Sequence, residues 1–224
     1  MGQFIQLKAA DGHQFSAWQE GPQNARVGLV LGQEIFGINH HIRNVCSQFA
    51  ALGYSVISPA LFDRVQPGVE LGYTDEDIAK ARILRSNSPD EKALLDIEAA
   101  AATLKGKKNG LVGYCWGGKL AWLSACRSKT FAATVGYYGT GTVATKDEKP
   151  NCPVQLHFGE LDPGTPMSDV ELIRQAQKAR PDVEVYVYPN GQHGFGCDER
   201  KQYGPEQAKL ARQLTVDFLA KHLA

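Results

Sequence analysis

The sequence lacks several features that mark particular classes of protein. Its longest apolar runs fall well short of the roughly 20 residues that a membrane-spanning helix needs, and its first residues do not have the basic-then-apolar pattern of a signal peptide. Neither sign of charge predominates, because 24 basic side chains balance 24 acidic ones. We therefore expect neither a membrane nor a nucleic acid as a partner.

Cysteine is scarce, and its spacing suits neither disulfides nor metal. The five thiols are those of Cys46, Cys115, Cys126, Cys152 and Cys197, and no C-x-x-C occurs. An odd number without close pairs predicts free thiols in a reducing cytoplasm. The six histidines show no H-E-x-x-H or similar spacing, so we predict no metal site.

Strand and helix patterns alternate along most of the chain. An Asp11-Gly12 turn predicts an N-terminal β-hairpin, and compact apolar runs such as 26–33 and 109–114 predict buried strands followed by helices. This alternation predicts an α/β fold, a mostly parallel sheet with helices on both faces. Without a linker or repeat, we predict a single domain over residues 1–224. Its last helix is predicted over 205–223, with apolar residues at 210, 214, 218 and 219.

Residues 113–117, Gly-Tyr-Cys-Trp-Gly, stand between a predicted strand and a predicted helix. This is the spacing of a nucleophile elbow, G-x-S-x-G, with cysteine in the place of serine. Such a turn holds Cys115 at the carboxyl edge of the sheet, where the amide of Trp116 can bind an oxyanion. The helix dipole favours a thiolate there. The alternative is a glycine-rich turn around an inert cysteine.

An acid and a histidine follow the elbow in the order that such a nucleophile requires. Glu160 and Asp162 lie in a loop after a later strand, and His193 lies in a glycine-rich loop after the next strand. Both loops leave the carboxyl ends of strands, where open parallel sheets bind ligands. The order Cys115, Asp162, His193 is that of an α/β-hydrolase triad, although His193 could also be a solvated turn residue. His157, within a strand, is predicted to lie in the core or behind the site.

Four segments resemble the dienelactone hydrolases: QEIFGIN (33–39), GYCWGG (113–118), GELD (159–162) and GQHGF (191–195). The resemblance runs in order through nearly the whole chain. It implies an α/β-hydrolase fold without a large cap, a Cys-His-Asp triad and no cofactor. It also implies hydrolysis of the ring ester in 4-carboxymethylenebut-2-en-4-olide to maleylacetate, a step of aromatic compound catabolism.

The same resemblance implies a role for Glu34. This residue is similar to the family's glutamate that pairs with the resting cysteine thiol, is displaced by substrate and takes the thiol proton. A neutral resting thiol resists oxidation. The alternative is a loop carboxylate favoured by the dipole of the helix that follows. The backbone amide of Ile35 would join that of Trp116 in the oxyanion hole.

The family's substrate carries a carboxylate, so the resemblance implies cationic side chains in the pocket. Arg82, or else Lys80, is similar to one family arginine. Cys197 stands where the second is expected, and a cysteine cannot supply its bidentate contact; Arg200, three residues further on, is a candidate replacement. The candidate pocket walls are Phe36, Trp116, Tyr137 and Tyr138.

Three hypotheses remain open on this evidence. The first is a hydrolase of a small anionic enol-lactone, acting through an acyl-thioester on Cys115. The second keeps the triad but changes the substrate to another activated ester or lactone, as Cys197 suggests. The third is a ligand-binding or redox-sensing protein without catalysis. In the first two, the only partner is the small lactone or ester, and we predict a monomer.

Overall fold

The structure, a computed structural model, describes residues 2–104 and 108–224 and divides into two units, Met1–Gly110 and Leu111–Ala224. The first unit contains β1 (Gln3–Lys8), β2 (Gln14–Glu20), β3 (Val27–Gly32), α1 (His40–Ala51), β4 (Ser55–Pro59), α2 (Asp75–Ser86) and α3 (Asp90–Ala102). Its strand order is β1-β2-β4-β3. β2 is antiparallel to both of its neighbours, whereas β3 and β4 are parallel.

Local signals place the elements of the first unit where the sequence predicts them. The Asp11 carboxylate accepts the N–H of His13 at 3.3 Å, which closes the predicted hairpin turn. Asn39 caps α1, since its side chain accepts the N–H of Ile42. Thr74 and Asp77 form a capping box at the start of α2. The sequence Ser88-Pro89-Asp90-Glu91 predicts the start of a helix that runs to about residue 105. In the structure this helix, α3, ends at Ala102, and residue 105 lies outside the described residues.

β5 (Lys108–Tyr114) leads into the second unit, which continues with α4 (Trp116–Arg127), β6 (Ala133–Tyr137), β7 (Val154–Gly159), α5 (Met167–Gln177), β8 (Val183–Tyr188) and α6 (Pro205–Leu223). The strand order is β5-β6-β7-β8. The pairs β6–β7 and β7–β8 are parallel. The crossover from β7 to β8 contains α5, whereas that from β6 to β7 contains only a 3-10 helix, Thr142–Thr145. β6 and β7 are buried along their whole length. Because β6, β7 and β8 are parallel, their carboxyl ends lie at the same edge of the sheet.

The predicted α/β fold is confirmed in both units, and α6 has the predicted bounds. Its buried face differs from the predicted apolar positions. Leu210, a predicted apolar position, is 54% exposed, whereas Ala211 and Thr215 are buried. Thr215 belongs to that face because its hydroxyl lies 2.6 Å from the hydroxyl of Tyr137.

In the described parts of the chain, no helix has the length and apolar character needed to cross a membrane. A single domain over residues 1–224 stays a prediction.

Candidate active site

Cys115 occupies the turn between β5 and α4, with φ 53° and ψ −113°. Residues other than glycine rarely adopt positive φ, and such strain concentrates at functional sites. Two contacts hold the turn. The backbone N–H of Cys115 donates to the carbonyl of Tyr137 at 2.9 Å, and strand and helix approach so closely that a Cβ on Gly113 would collide with the carbonyl of Gly117. The thiol therefore sits at the N-terminus of α4, 8% exposed.

His193 lies between this thiol and a carboxylate. Its Nε2 is 3.2 Å from Sγ of Cys115, and its Nδ1 is 2.8 Å from Oδ2 of Asp162. An ionised carboxylate only accepts hydrogen bonds, so Nδ1 carries the proton that it donates to Asp162. The other carboxylate oxygen accepts the N–H of Gly164 at 2.7 Å. These bonds orient the imidazole with Nε2 toward the sulfur.

The charges in this row favour a protonated imidazole. Burial lowers the pKa of His193, but the negative charge of Cys115 and the hydrogen bonds to Asp162 and Cys115 outweigh it and raise this pKa to about 10. A protonated imidazole at this distance from the sulfur is a proton donor in contact with a potential nucleophile.

Of the two acids that the sequence leaves open, the structure brings Asp162 to His193. Glu160 is exposed and its carboxylate accepts the backbone N–H of Asn190 at 2.9 Å. Asp162 is buried and its two oxygens are both engaged.

The two tyrosines after β6 differ in position. The ring of Tyr138 is fully buried and lies 5.1 Å from the ring of His193, at an angle of 63°. Its φ of 38° is a second positive value at this edge. Tyr137 directs its hydroxyl to Thr215 on α6, and burial raises the pKa of that phenol well above its usual value. Trp116, the first residue of α4, is buried.

The remaining predicted residues belong to the first unit. Glu34 is fully buried, Phe36 is buried with its ring 4.8 Å from that of Tyr73, and Ile35 is partly exposed. Arg82 lies on the exposed side of α2, as does Lys80.

Cys197 and Arg200 belong to the second unit, in the segment after His193. The Cys197 side chain is fully buried. The guanidinium of Arg200 packs over Gly194, the neighbour of His193, so closely that a Cβ there would lie 2.5 Å from Nη1. The positive charge of Arg200 therefore lies against the residue that follows His193 in the chain.

The hydrogen bonds of His157 were not predicted. Its Nδ1 lies 2.7 Å from the hydroxyl of Tyr188, and its Nε2 lies 2.9 Å from Oε1 of Gln155. The signal available in the sequence was the presence of two polar residues, Gln155 and His157, two positions apart in an otherwise apolar strand.

This edge of a parallel sheet carries a cysteine, a histidine and an acid in the order found in α/β hydrolases, and comparison with solved structures confirms that fold. The structure superposes on the crystal structure of a Klebsiella pneumoniae protein, provisionally named a dienelactone hydrolase, with a TM-score of 0.85 and 29% identity over 99% of this chain and 98% of that chain. The model of the dienelactone hydrolase family matches residues 15–223, and the chain belongs to this family.

Two curated relatives agree with this assignment. The carboxymethylenebutenolidase of Pseudomonas putida is 34% identical over 225 residues, covering 96% of this chain and 95% of the relative. A protein of Synechocystis sp., provisionally named a carboxymethylenebutenolidase, is 36% identical over 202 residues, covering 83% and 82%. The chain is a hydrolase of esters or lactones, which confirms the enzyme hypotheses over a purely binding or sensing protein.

Proposed function

We propose that the chain opens a small activated enol-lactone, 4-carboxymethylenebut-2-en-4-olide, to give maleylacetate through a Cys115–His193–Asp162 triad. The observation that carries the proposal is the continuous row of contacts from Sγ of Cys115 to the imidazole, at 3.2 Å, and from the imidazole to Asp162, at 2.8 Å. The name of the Pseudomonas putida relative supports the choice of substrate. The proposed enzyme is monomeric and cytoplasmic and needs no cofactor.

Acylation begins when the thiolate attacks the lactone carbonyl, forming a carbon–sulfur bond and a tetrahedral oxyanion. Collapse of this intermediate breaks the ring carbon–oxygen bond and leaves an acyl-thioester on Cys115. The departing enolate oxygen takes the Nε2 proton of His193, and the resulting enol tautomerises to the ketone. An enolate is a good leaving group, and thiolates attack activated esters well.

Deacylation uses the same groups in reverse order. Neutral His193 accepts a proton from water as the water oxygen attacks the thioester carbonyl. The second tetrahedral intermediate collapses to the carboxylic acid and the thiolate, and the acid then ionises by releasing its proton to solvent. The imidazolium formed in the attack stays beside the thiolate. On product release the thiolate takes back its proton from Glu34, which restores the neutral resting thiol. Asp162 holds the tautomer throughout.

Supporting roles extend the proposal to other residues. Trp116 is the first residue of α4, and a backbone amide at a helix N-terminus is suited to an oxyanion hole, which we propose it forms with the amide of Ile35. Glu34 is proposed to hold the resting thiol neutral and to take its proton when substrate binds. Arg82 and Arg200 are the candidate cations for the substrate carboxylate. Phe36, Tyr137 and Tyr138 are the candidate pocket walls.

The test is turnover of the dienelactone by wild type beside Cys115→Ala and Glu34→Gln. We expect no turnover by Cys115→Ala and strong impairment of Glu34→Gln, with the circular dichroism spectrum of both unchanged. Wild-type rates for Cys115→Ala would overturn the mechanism.

A second candidate substrate class, uncharged activated esters, is favoured by the buried Cys197, which offers no positive charge where the family resemblance places an arginine. The comparison to make is kcat/KM for the dienelactone against that for an uncharged p-nitrophenyl ester. If the charged substrate has no advantage, the anionic-lactone assignment gives way to this class.

A further inference from the structure

His157 is a second hydrogen-bonded histidine in the second unit, and it is not a member of the proposed triad. His157, near the end of β7, is fully buried. Both of its ring nitrogens have partners: the hydroxyl of Tyr188 at Nδ1, and at Nε2 the side chain of Gln155 together with the hydroxyl of Thr215 on α6, at 3.2 Å. The reaction as proposed makes no use of this histidine.

The direction of these hydrogen bonds follows from a carboxylate at one end of the row. Glu184 accepts the amide N–H of Gln155 at 2.8 Å, so Gln155 turns its oxygen toward His157. An amide oxygen only accepts, so Nε2 of His157 carries the proton. Nδ1 is then a lone pair, and it accepts the hydroxyl proton of Tyr188 at 2.7 Å.

Burial keeps this acceptor available. Because desolvation opposes a buried imidazolium, it lowers the pKa of His157 to about 3. The ring is therefore neutral across the working range of a cytoplasmic hydrolase.

Tyr188, the last residue of β8, connects this row to both loops of the proposed triad. Its carbonyl accepts two N–H groups, those of Glu160 and Gly191, each at 3.0 Å. The first belongs to the loop of Asp162 and the second to the loop of His193.

The two loops are also held directly against each other. The N–H of Leu161 donates to the carbonyl of Gly191 at 2.8 Å. A Cβ on Gly159 would collide with that same carbonyl, so the approach leaves no room for a side chain. The position of Tyr188 therefore helps to fix the separation of Asp162 and His193.

We propose that His157 is a positioning residue of the active site: by accepting the hydroxyl of Tyr188 it fixes the end of β8 and, through the Tyr188 carbonyl, the spacing of Asp162 and His193. This inference rests on the proposed function, since it takes those two residues as members of the triad. A role confined to core packing would instead change stability and leave turnover by the folded enzyme intact.

The chain offers a matched pair of variants on one strand. Tyr188→Phe removes the hydroxyl that binds His157, and Tyr186→Phe removes a hydroxyl that donates to Glu184 at the far end of the row, at 3.1 Å. We expect Tyr188→Phe to lower kcat roughly tenfold with KM within about twofold of wild type, because small displacements of catalytic groups cost rate more than binding. Tyr186→Phe should keep wild-type kcat.

His157→Phe should reproduce the kcat of Tyr188→Phe, and the double variant should show no further loss, since both changes remove one interaction. All variants are assayed at temperatures below their unfolding transitions. If His157→Phe does not fold, Tyr188→Phe still tests the proposal. Wild-type kcat in folded Tyr188→Phe, or an equal loss in Tyr186→Phe, would overturn the positioning role. The proposed function fails separately, by turnover in Cys115→Ala.

Discussion

The sulfur of Cys115 lies 3.2 Å from Nε2 of His193, within contact distance for direct proton exchange. The strained turn fixes one partner and the Asp162 carboxylate fixes the other, at 2.8 Å from Nδ1. In the proposed mechanism, the nucleophile and the acid–base group are thus oriented before substrate arrives, which reduces the entropy that the reaction must overcome.

Asp162→Asn should lower kcat by roughly a hundredfold or more, by analogy with the corresponding change in serine triads. The N–H of Gly164 at 2.7 Å requires the amide oxygen on its side, so the amide nitrogen would face His193. Nδ1 would then become an acceptor, and the only proton of the neutral ring would move to Nε2. That nitrogen could no longer take a proton, and steady-state turnover of the dienelactone measures the loss.

Glu160→Gln is the matched control for this change, since Glu160 lies two residues away and binds the N–H of Asn190. We expect its kcat to stay within about twofold of wild type, in line with an exposed acid outside the reaction. A larger loss in Glu160→Gln than in Asp162→Asn would reverse the assignment of the acid.

Local patterns in the sequence predict most of the fold because each rests on neighbouring residues. The Asp11-Gly12 turn, the Asn39 cap and the G-x-C-x-G elbow are short-range signals, and all three structures are present. The family resemblance, spread over the whole chain, is confirmed by the family model.

Long-range contacts could not be predicted in the same way. Spacing alone leaves both Glu160 and Asp162 available, and only the meeting of two loops brings Asp162 to His193. The buried row at His157 joins three elements, so no local pattern contains it. Thr215 is buried on α6, whereas Leu210 is exposed. The hydrogen bond between the Thr215 and Tyr137 hydroxyls, at 2.6 Å, is a tertiary contact that hydropathy does not predict.

The raised pKa of His193 predicts a pH-dependent contribution to stability. The folded pKa of about 10 exceeds the ordinary value of 6.5, so the folded state binds this proton more tightly than the unfolded state. The contribution is complete below the ordinary value and is lost as the pH rises through about 10. We expect the difference in the free energy of unfolding between wild type and His193→Gln to shrink across that window in urea titrations.

Cys115→Ala sharpens this measurement, because the charge on Cys115 is the largest contribution that raises the pKa of His193. Removal of this charge should lower the folded pKa of His193, so the pH range over which the free energy of unfolding falls should become narrower. An unchanged window would mean that Asp162 alone sets the pKa.

Arg64→Ala should lower the free energy of unfolding by about 3–5 kcal/mol, because it leaves a buried carboxylate without its cation. Arg64 contacts Asp96, which is fully buried, with two bonds of 2.8 Å. Burial raises the pKa of Asp96 despite this partner, so the loss should shrink in acid as Asp96 takes up a proton.

Lys92→Ala removes a half-exposed partner of Asp11 and should cost under about 1 kcal/mol. Equal losses in the two variants, by urea unfolding, would contradict this account.

Arg200→Gln should raise KM for the anionic dienelactone roughly tenfold and leave kcat/KM for an uncharged p-nitrophenyl ester unchanged. The reason is the guanidinium that packs over Gly194, beside His193. Arg200 is a proposed cation for the substrate carboxylate, to which an arginine can donate two parallel hydrogen bonds. Arg200→Lys should recover only part of the loss, since an ammonium lacks the planar fork. Lys201→Gln, which removes the exposed charge next to it, is the control for a general change in surface potential. If Arg200→Gln weakens both substrates equally, Arg200 supports the loop of His193 and the substrate carboxylate is bound elsewhere.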